Sequence, residues 1–441
     1  MKYLKKTIIV FTILMGASSL FCFAQETVQH SMTIQQLSDS VVMNNIQLKL
    51  AGTSVAIANA QIIDVKMNRL PNIGTSMTAM YLGDITLLNT DFSKLQDVDI
   101  PNFGHLFNVT INEVIYAGGK INTAIDLAGL NKELRENQQK DAEQEIKLTA
   151  IQLYLSLYKL YHQKDILEGN NALANEQLKK VRLFYNQKIV TKNEVLRAEV
   201  QEGQLLQTIL KVKNAIEITN KSLTTLAGLD ENVIIIPNVD NLNHQLDLES
   251  ETDFLFRVYQ NNPQIAGSDI QIAMAEKSLK LTKANNKPVL VGFAQYELAR
   301  PLTSSSPVLD YYSGSPQIGL SLSYNIESLF KNKKKEAVNH IQIDQAKQAK
   351  SNAMQQIDLE VDAAFKSYHQ AIEQKQVLLK NEKVAAENYR ITELKYQKQL
   401  VTIAEMIDAS NTKLQAELQT LDAEMDIVLN YVKLLRLSGQ L

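Results

Sequence analysis

The chain has 441 residues, of which 45% are hydrophobic and 21% are charged, and its formal net charge at pH 7 is −3. This small negative charge gives no sign of nucleic-acid binding, which a strongly basic chain would indicate. The single cysteine, Cys22, excludes a framework of disulfides within one chain.

The first 24 residues have the pattern of a secretory signal peptide. Lys2, Lys5 and Lys6 precede an apolar run, Thr7–Phe23, and the small residue Ala24 follows it. A basic start, an apolar middle and a small residue at the end are typical of a cleaved signal, so we expect cleavage after Ala24. The alternative is a membrane anchor, although the run is shorter than the ~20 residues that a spanning helix needs.

Cleavage after Ala24 would also remove Cys22 and the three lysines. The mature chain would then contain no cysteine and have a net charge of −6. Lipidation of Cys22 is the alternative fate of this residue. A lipoprotein signal has a small residue just before its cysteine, and this chain has Phe21 there.

The first element of the mature chain is a predicted helix over residues 33–70, where apolar residues recur at steps of three and four. Asn44 and Asn45 mark a predicted break in it. The helix ends before Pro71, because the residue before a proline disfavours the α conformation. Residues 72–82 alternate instead, which predicts a strand of about ten residues.

A second strand is predicted after a loop. Residues 83–104 are polar and contain a proline, which predicts the loop. Alternation then becomes clear at residues 105–116, where Phe107, Val109 and Ile111 oppose polar neighbours. An apolar and a polar face on one strand indicate a sheet with two different environments.

Two helices are predicted next, in a segment from Lys120 to Gly228 that contains no proline. One runs to about Lys188 and the other from Asn193 to about Leu226. At roughly 1.5 Å per residue, the first would be about 100 Å long. A helix of that length needs partners along its whole length, as in a bundle or a coiled coil.

The second half of the chain repeats the first. Three residues around the first helix recur at a spacing of 217, since Asn45, Gln47 and Pro71 reappear as Asn262, Gln264 and Pro288. The linker before the repeat is residues 229–252, with a short predicted strand at Val233–Ile236. Further strands are predicted at residues 289–298 and 316–326. Residues 331–436 contain neither glycine nor proline, which predicts two more long helices.

The clearest sign of duplication lies at the turns between the long helices. The segments YNQKIVTKNEVLRA, at Tyr185–Ala198, and YQKQLVTIAEMIDA, at Tyr396–Ala409, align without a gap at a spacing of 211. Each contains a threonine three residues before a glutamate, Thr191 and Glu194 in the first and Thr402 and Glu405 in the second. This capping-box pattern restarts a helix, so each segment is predicted to be the turn of a helical hairpin.

Together these elements predict a mainly α protein with a small β part, built as two repeats, residues 25–228 and 253–441. Four strands of about ten residues match membrane-spanning β segments. Four strands cannot close a barrel and lipid does not tolerate open edges, so several chains must share one barrel. Three chains would give twelve strands, with the long helices forming a tube. The alternative is a soluble helical bundle capped by small hairpins.

The repeat, the two strand pairs, the long helices and above all Tyr396–Ala409 resemble the outer membrane factor family, the TolC-like exit channels of bacterial efflux pumps and type I secretion systems. The resemblance covers nearly the whole mature chain. It implies a homotrimer in the outer membrane of a Gram-negative bacterium, with helices that extend into the periplasm. It also implies two protein partners, an inner-membrane pump and a periplasmic adaptor, at the tip formed by the turns.

Carried over by position, the resemblance assigns roles in both turns. Glu405 and Asp408 are similar to the acidic residues that ring the entrance in that family, and Tyr396 and Glu194 to residues whose bonds close the tip. The turn residues themselves are Lys188, Thr191, Gln399 and Thr402. The family commonly has glycine where this chain has Lys188 and Gln399, and some members have arginine where it has Val401, so the turns depart from the family pattern.

The residues alone leave these roles open. Glu405 and Asp408 are three residues apart on one helix face, so a trimer would place six carboxylates around a narrow opening. The alternative for Glu405 and Asp408 is that they lie on a solvated helix surface. The alternative for Tyr396 is ordinary packing. Four further side chains, Lys331, Lys333, Lys334 and Lys335, are predicted either to touch lipid headgroups or to begin a solvated helix.

No pattern indicates an enzyme, and we expect no catalytic, cofactor-binding or metal-binding residues. The six histidines lack metal-ligand spacing, and the sequence has no nucleophile motif and no phosphate-binding loop. The hypothesis is therefore a trimeric outer-membrane exit channel of an efflux pump or type I secretion system. The alternative is a periplasmic coiled-coil scaffold or adaptor that does not span the membrane.

Overall fold

The computed structural model describes residues 28–238, 250–305 and 308–441. The predicted signal peptide and part of the linker lie outside the described residues. The chain divides into two compact units. Unit 1 contains the described parts of Met1–Lys49, Glu143–Val258 and Leu359–Leu441, and unit 2 contains those of Leu50–Ala142 and Tyr259–Asp358.

The helices and the long strands follow the same order in both halves of the chain, and the first half contains four additional short strands among the described residues. The first half contains β1 (Val28–Met32), α1 (Ile34–Asn44), α2 (Ile46–Met67), β2 (Asn72–Tyr81), β3 (Ile85–Leu88), β4 (Lys94–Val98), β5 (Phe103–Tyr116), α3 (Lys120–Asn186), α4 (Lys192–Ala227) and β6 (Val233–Pro237). The second contains α5 (Glu251–Asn261), α6 (Pro263–Ala284), β7 (Val289–Arg300), β8 (Ser313–Ser323), α7 (Ser328–Gln397) and α8 (Ile403–Leu437). In both halves a helix, a strand pair and two long helices follow one another, which confirms the predicted duplication.

The predicted break between the first helices forms because an asparagine caps the second. The Oδ1 atom of Asn45 accepts from the N–H of Gln47 at 2.9 Å, and its Nδ2 donates to the carbonyl of Leu226 at 2.9 Å. In the second half, Asn262 accepts from the N–H of Gln264 at 2.9 Å, where α6 begins. Each asparagine therefore satisfies N–H groups that the start of a helix leaves unpaired.

The loop predicted at residues 83–104 instead contains a short antiparallel hairpin, β3 and β4, so that prediction is wrong. Thr86 donates to Asp97 across the hairpin at 2.9 Å, and the N–H of Asn89 donates to the carbonyl of Ser93 at 2.8 Å. Strands of four and five residues are too short for alternation to distinguish them from a polar loop.

The four longer strands form one antiparallel sheet in the order β2-β5-β7-β8. The register aligns one row of apolar residues across it, Ile73, Ile111, Ala294 and Ile318. The next row, which points to the opposite face, is Gly74, Thr110, Gln295 and Gln317. The sheet therefore has an apolar face and a polar face, as the alternation predicts.

The last strand ends earlier than the pattern indicates. β8 spans Ser313–Ser323, whereas the prediction continued to residue 326. Asn325 causes the difference, because its Oδ1 atom accepts from the N–H of Glu327 at 3.1 Å and turns the chain into α7.

Each of the two longest helices buries a stripe of apolar residues. α3 has 67 residues and α7 has 70, so each is about 100 Å long at 1.5 Å per residue. The buried members of the stripes are Ile146, Ala150, Tyr154 and Leu157 on α3 and Ile357, Val361, Phe365 and Tyr368 on α7. None of the helices within the described ranges combines the length and the apolar character that crossing a bilayer requires.

Tyr154 links α3 to a small parallel sheet formed by β1 and β6 in unit 1. Its hydroxyl lies 2.6 Å from the carbonyl of Met32 and 2.9 Å from that of Asn238, and it accepts from the N–H of Asn238 at 2.8 Å. Burial raises the pKa of Tyr154 to about 12. The neutral hydroxyl is therefore part of the packed structure.

We expect Tyr154→Phe to lower the free energy of unfolding by about 1 kcal/mol, because it removes the bonds of the buried hydroxyl, whereas the N–H of Asn238 still donates to the carbonyl of Met32. Tyr161→Phe, on the same helix but without such bonds among the described residues, is the control. Thermal unfolding followed by circular dichroism measures both. In the wild type, the contribution of Tyr154 should be complete below pH 10 and be lost as the pH rises to about 12. Equal melting of the two variants would contradict the linking role.

Candidate functional site

The two turns between the long helices have the same backbone geometry. In the first, the N–H of Lys188 donates to the carbonyl of Tyr185 and that of Ile189 to the carbonyl of Phe184, both at 2.9 Å. In the second, the same bonds join Gln399 to Tyr396 and Leu400 to Lys395, both at 2.9 Å. This pair of bonds is the Schellman motif, which ends a helix and satisfies its last carbonyls.

The motif places one residue of each turn in the left-handed region. Lys188 has a φ of 62° and Gln399 a φ of 61°. Glycine adopts this conformation without steric cost, whereas another residue has its Cβ close to the following carbonyl. The two turns thus retain a glycine-type backbone with larger side chains.

We expect Gln399→Gly to stabilise the second turn by up to about 1 kcal/mol, because glycine removes the steric cost of the left-handed conformation. Amide hydrogen exchange of residues 396–405 should then slow by up to about fivefold where the turn opens locally. Gln397→Gly, at the last residue of α7, is the control and should speed exchange. Faster exchange in Gln399→Gly would contradict the turn geometry.

The helices that leave the turns begin differently. At α8 the predicted capping box is present, since Glu405 N–H donates to the Thr402 hydroxyl at 3.3 Å and Thr402 N–H donates to the Glu405 carboxylate at 2.7 Å. The N–H and the hydroxyl of Thr402 hold the pKa of Glu405 below its ordinary value. At α4 the predicted box is absent, which corrects the sequence interpretation. Glu194 N–H instead donates to the backbone carbonyl of Thr191 at 3.2 Å.

Side chains of both turns pack into one buried cluster at the tip of unit 1. Its buried members are Leu178, Val181, Val195, Ala198, Tyr389, Tyr396, Ile403 and Met406. The ring of Tyr396 is 5% exposed and lies 6.3 Å from that of Phe184. Its hydroxyl is buried and has no hydrogen-bond partner among the described residues. Burial and, to a lesser degree, the charge of Glu194 raise the pKa of Tyr396 to about 12.

Five of the predicted site residues lie around one cleft. This tip cleft has a volume of about 370 Å³, and its walls include Glu194 from the first turn and Tyr396 and Glu405 from the second. Gln399 and Thr402 also line it, whereas Lys188 and Thr191 do not. The cleft therefore joins the two turns that the resemblance identifies as the tip.

Asp408 lies on a different surface. It lines a helix groove of about 500 Å³ between α4 and α8, together with Arg197. Gln201 donates to Asn411 across this groove at 2.6 Å. The exposed carboxylate of Asp408 makes no hydrogen bond or ion pair within residues 28–238, 250–305 and 308–441. Glu405 and Asp408 are thus both exposed, but Glu405 caps a helix and Asp408 does not.

Arg197 was not among the predicted site residues, although a signal for it exists. It lies 211 residues before Asp408, so the two occupy equivalent positions of the repeat. The duplication therefore places opposite charges at matched positions. A search for repeat partners of the acidic residues finds Arg197 directly.

A family model matches the second half of the chain. Residues 256–440 match the family described as "Outer membrane efflux protein". No curated relative matches the chain.

Comparison with solved structures finds outer-membrane channels. CusC is 16% identical, with a TM-score of 0.78 over 96% of this chain and 95% of that one. VceC of Vibrio cholerae is 13% identical, with a TM-score of 0.73 over 92% of this chain and 96% of that one. The open state of MtrE of Neisseria gonorrhoeae is 16% identical, with a TM-score of 0.71 over 92% and 88%. At these identities the likeness shows a shared fold.

Proposed function

We propose that three copies of this chain form the exit channel of an efflux pump or type I secretion system, because residues 256–440 match the family described as "Outer membrane efflux protein" and the fold is similar to that of CusC. The channel conducts substrates across the outer membrane to the exterior. The chain supplies the conduit and performs no chemistry. Its partners are an inner-membrane pump and a periplasmic adaptor, which meet the two turns.

The exposed sheet of unit 2 carries this proposal. On its apolar face, Ile73 is 70%, Met77 73% and Ile318 88% exposed, so the chain leaves this face uncovered. Both outer strands, β2 and β8, have one unpaired edge within the described residues. Lipid accepts an apolar face but not an open edge. Three copies that pair β8 of one with β2 of the next satisfy both conditions in a twelve-stranded barrel.

The long helices of unit 1 support the same assembly. α4 carries exposed apolar side chains along one face, with Val200 at 60%, Leu210 at 65% and Ile218 at 68%. Val200 and Ile218 are eighteen residues apart, which is five full turns at about 3.6 residues per turn, so they lie on the same side of the helix, and Leu210 lies about 80° from them. A neighbouring copy would cover this face in a helical tube.

At the tip, the repeat gives the proposed entrance a definite charge pattern. Three chains would alternate Arg197 and Asp408 around one level, with Glu194 and Glu405 about one helical turn nearer the tip. The carboxylates outnumber the arginines, so the entrance attracts cations. Tyr396 acts as a gate element by holding the packed cluster closed.

A disulfide between chains tests the barrel. Two strands separate β2 from β8 within one chain, which places them about 14 Å apart at ~4.8 Å per strand, beyond disulfide reach. Ser76→Cys on β2, combined in turn with cysteines at Ser315, Gln317, Gly319 and Ser321 on β8, should therefore form bonds only between chains. The mature chain is expected to have no cysteine of its own.

The expected product of oxidation is a covalent ladder that ends at the trimer for at least one of these pairs. Ser76→Cys alone is the control and should give no trimer. The absence of any cross-link at all four positions would contradict a barrel shared through these edges.

A further inference from the structure

Four lysines converge on one cavity in unit 2, beside the ends of β7 and β8. This lysine cavity has a volume of about 460 Å³ and is lined by Lys120, Lys287, Lys331 and Lys335. Glu327 is the one carboxylate among its lining residues. The cavity therefore carries a net positive charge.

A glycine allows this convergence. Gly118 has a φ of 65°, and a Cβ there would lie 2.7 Å from the Cβ of Lys287 and 2.8 Å from the carbonyl of Ala284. The turn before α3 can therefore pack directly against the residues that end α6. This contact places Lys120, the first residue of α3, on the same cavity as Lys287.

Most of the positive charge in the cavity is uncompensated. Lys331 forms an ion pair with Glu327. Lys120, Lys287 and Lys335 form none within the part of the chain that the structure describes. α3 and α7 also begin at the cavity, and the N-terminal end of a helix carries partial positive charge. These features together favour an anion with several acceptor oxygens.

The cavity is also built on fixed polar groups. Asn332 is 4% exposed, and its Nδ2 atom donates to Oδ1 of Asn286 at 2.7 Å. Asn286 in turn donates to Glu336 at 2.9 Å. These bonds join α7 to the residues after α6, so the lysines on both sides project from a rigid base.

An apolar patch adjoins the cavity. It consists of Ile326, Leu329 and Phe330, which are 66%, 47% and 63% exposed. They flank Glu327 and Ser328, which line the cavity. A free phosphate makes no apolar contacts and would not bind such a patch. A phospholipid has a phosphate and acyl chains side by side. The combination of basic and apolar side chains is typical of a membrane surface.

We propose that the lysine cavity binds the phosphate of an anionic phospholipid where the barrel meets the surface of the membrane. The proposal rests on the proposed function, since the sheet must lie in lipid for the cavity to meet headgroups. The acyl chains lie along the patch of Ile326, Leu329 and Phe330.

Native mass spectrometry of the full chain in detergent tests this site. The protein is titrated with dioleoyl phosphatidylglycerol and, separately, with dioleoyl phosphatidylcholine, which has the same acyl chains and no net charge. We expect a preference for phosphatidylglycerol and three bound lipids per trimer. The triple variant Lys120→Gln, Lys287→Gln, Lys335→Gln should lose this preference by about tenfold or more.

The matched control removes three lysines that are close by but do not line the cavity, Lys283→Gln, Lys333→Gln and Lys334→Gln. It should retain the preference. An equal loss in both triple variants, or displacement of the lipid by millimolar inorganic phosphate, would overturn the proposal. A conducting trimer without lipid preference would contradict the lipid site and leave the proposed function intact. A protein that forms no trimer would contradict the proposed function.

Discussion

Replacement of Tyr396 by alanine is expected to open the tip and make the outer membrane permeable to large antibiotics that it normally excludes. The ring is 5% exposed and packs against Phe184 in the cluster that joins both turns. Loss of a buried aromatic ring costs about 3–5 kcal/mol, which is enough to shift a closed tip towards open conformations. A factor of ten in an equilibrium corresponds to about 1.4 kcal/mol, which is less than this cost. We therefore expect the inhibitory concentration of a glycopeptide antibiotic to drop at least tenfold.

Two further variants separate packing from hydrogen bonding at this position. Tyr396→Phe keeps the ring and removes a hydroxyl that has no partner among the described residues, so the tip should remain closed in this variant. Tyr185→Ala changes the repeat-equivalent tyrosine, which is 41% exposed, and should also have little effect. If Tyr396→Phe leaks as much as Tyr396→Ala, the hydroxyl rather than the ring closes the tip. Wild-type permeability in Tyr396→Ala would show that the residue is no gate element.

Substitutions at the proposed entrance should change block by multivalent cations in opposite directions. Asp408→Asn removes three carboxylates from the trimer and should weaken block by a trivalent cation about tenfold. Arg197→Gln removes three positive charges at the equivalent level and should strengthen block. Glu405→Gln should weaken it while preserving the helix start, because glutamine can replace glutamate in a capping box.

Single-channel recordings over a range of cation concentrations measure these effects. Asp426→Asn changes an exposed acid farther along α8 and is the control. The cation should block this variant as strongly as it blocks the wild type. If Asp408→Asn and Arg197→Gln both leave block unchanged, neither residue faces the conducting path. If they change block in the same direction, the alternation of charges around the entrance is wrong.

Most of the fold can be predicted from the sequence, because the duplication gives two sequence patterns for each of the main elements. The break at Asn45 and its equivalent at Asn262, for example, depend on a side-chain cap that acts within three residues. Local patterns miss what depends on distant partners. The parallel pairing of β1 with β6 joins residues about 205 positions apart, and no periodicity indicates it.

The candidate site is harder to predict from the sequence than the fold. Thr191 and Thr402 have the same capping pattern, yet only Thr402 forms the box, so the local pattern alone does not decide whether the box forms. The left-handed residues Lys188 and Gln399 are likewise invisible to propensity, since neither is glycine. The turn bonds of the whole hairpin impose that conformation.

The most direct test of the channel is the conductance of the detergent-purified protein in a planar bilayer, after native mass has established its oligomeric state. A trimer that gives steady openings of one size is the predicted result, and it would establish the shared barrel and the conduit together. A protein that remains monomeric or dimeric, dissolves without detergent and gives no openings would contradict it.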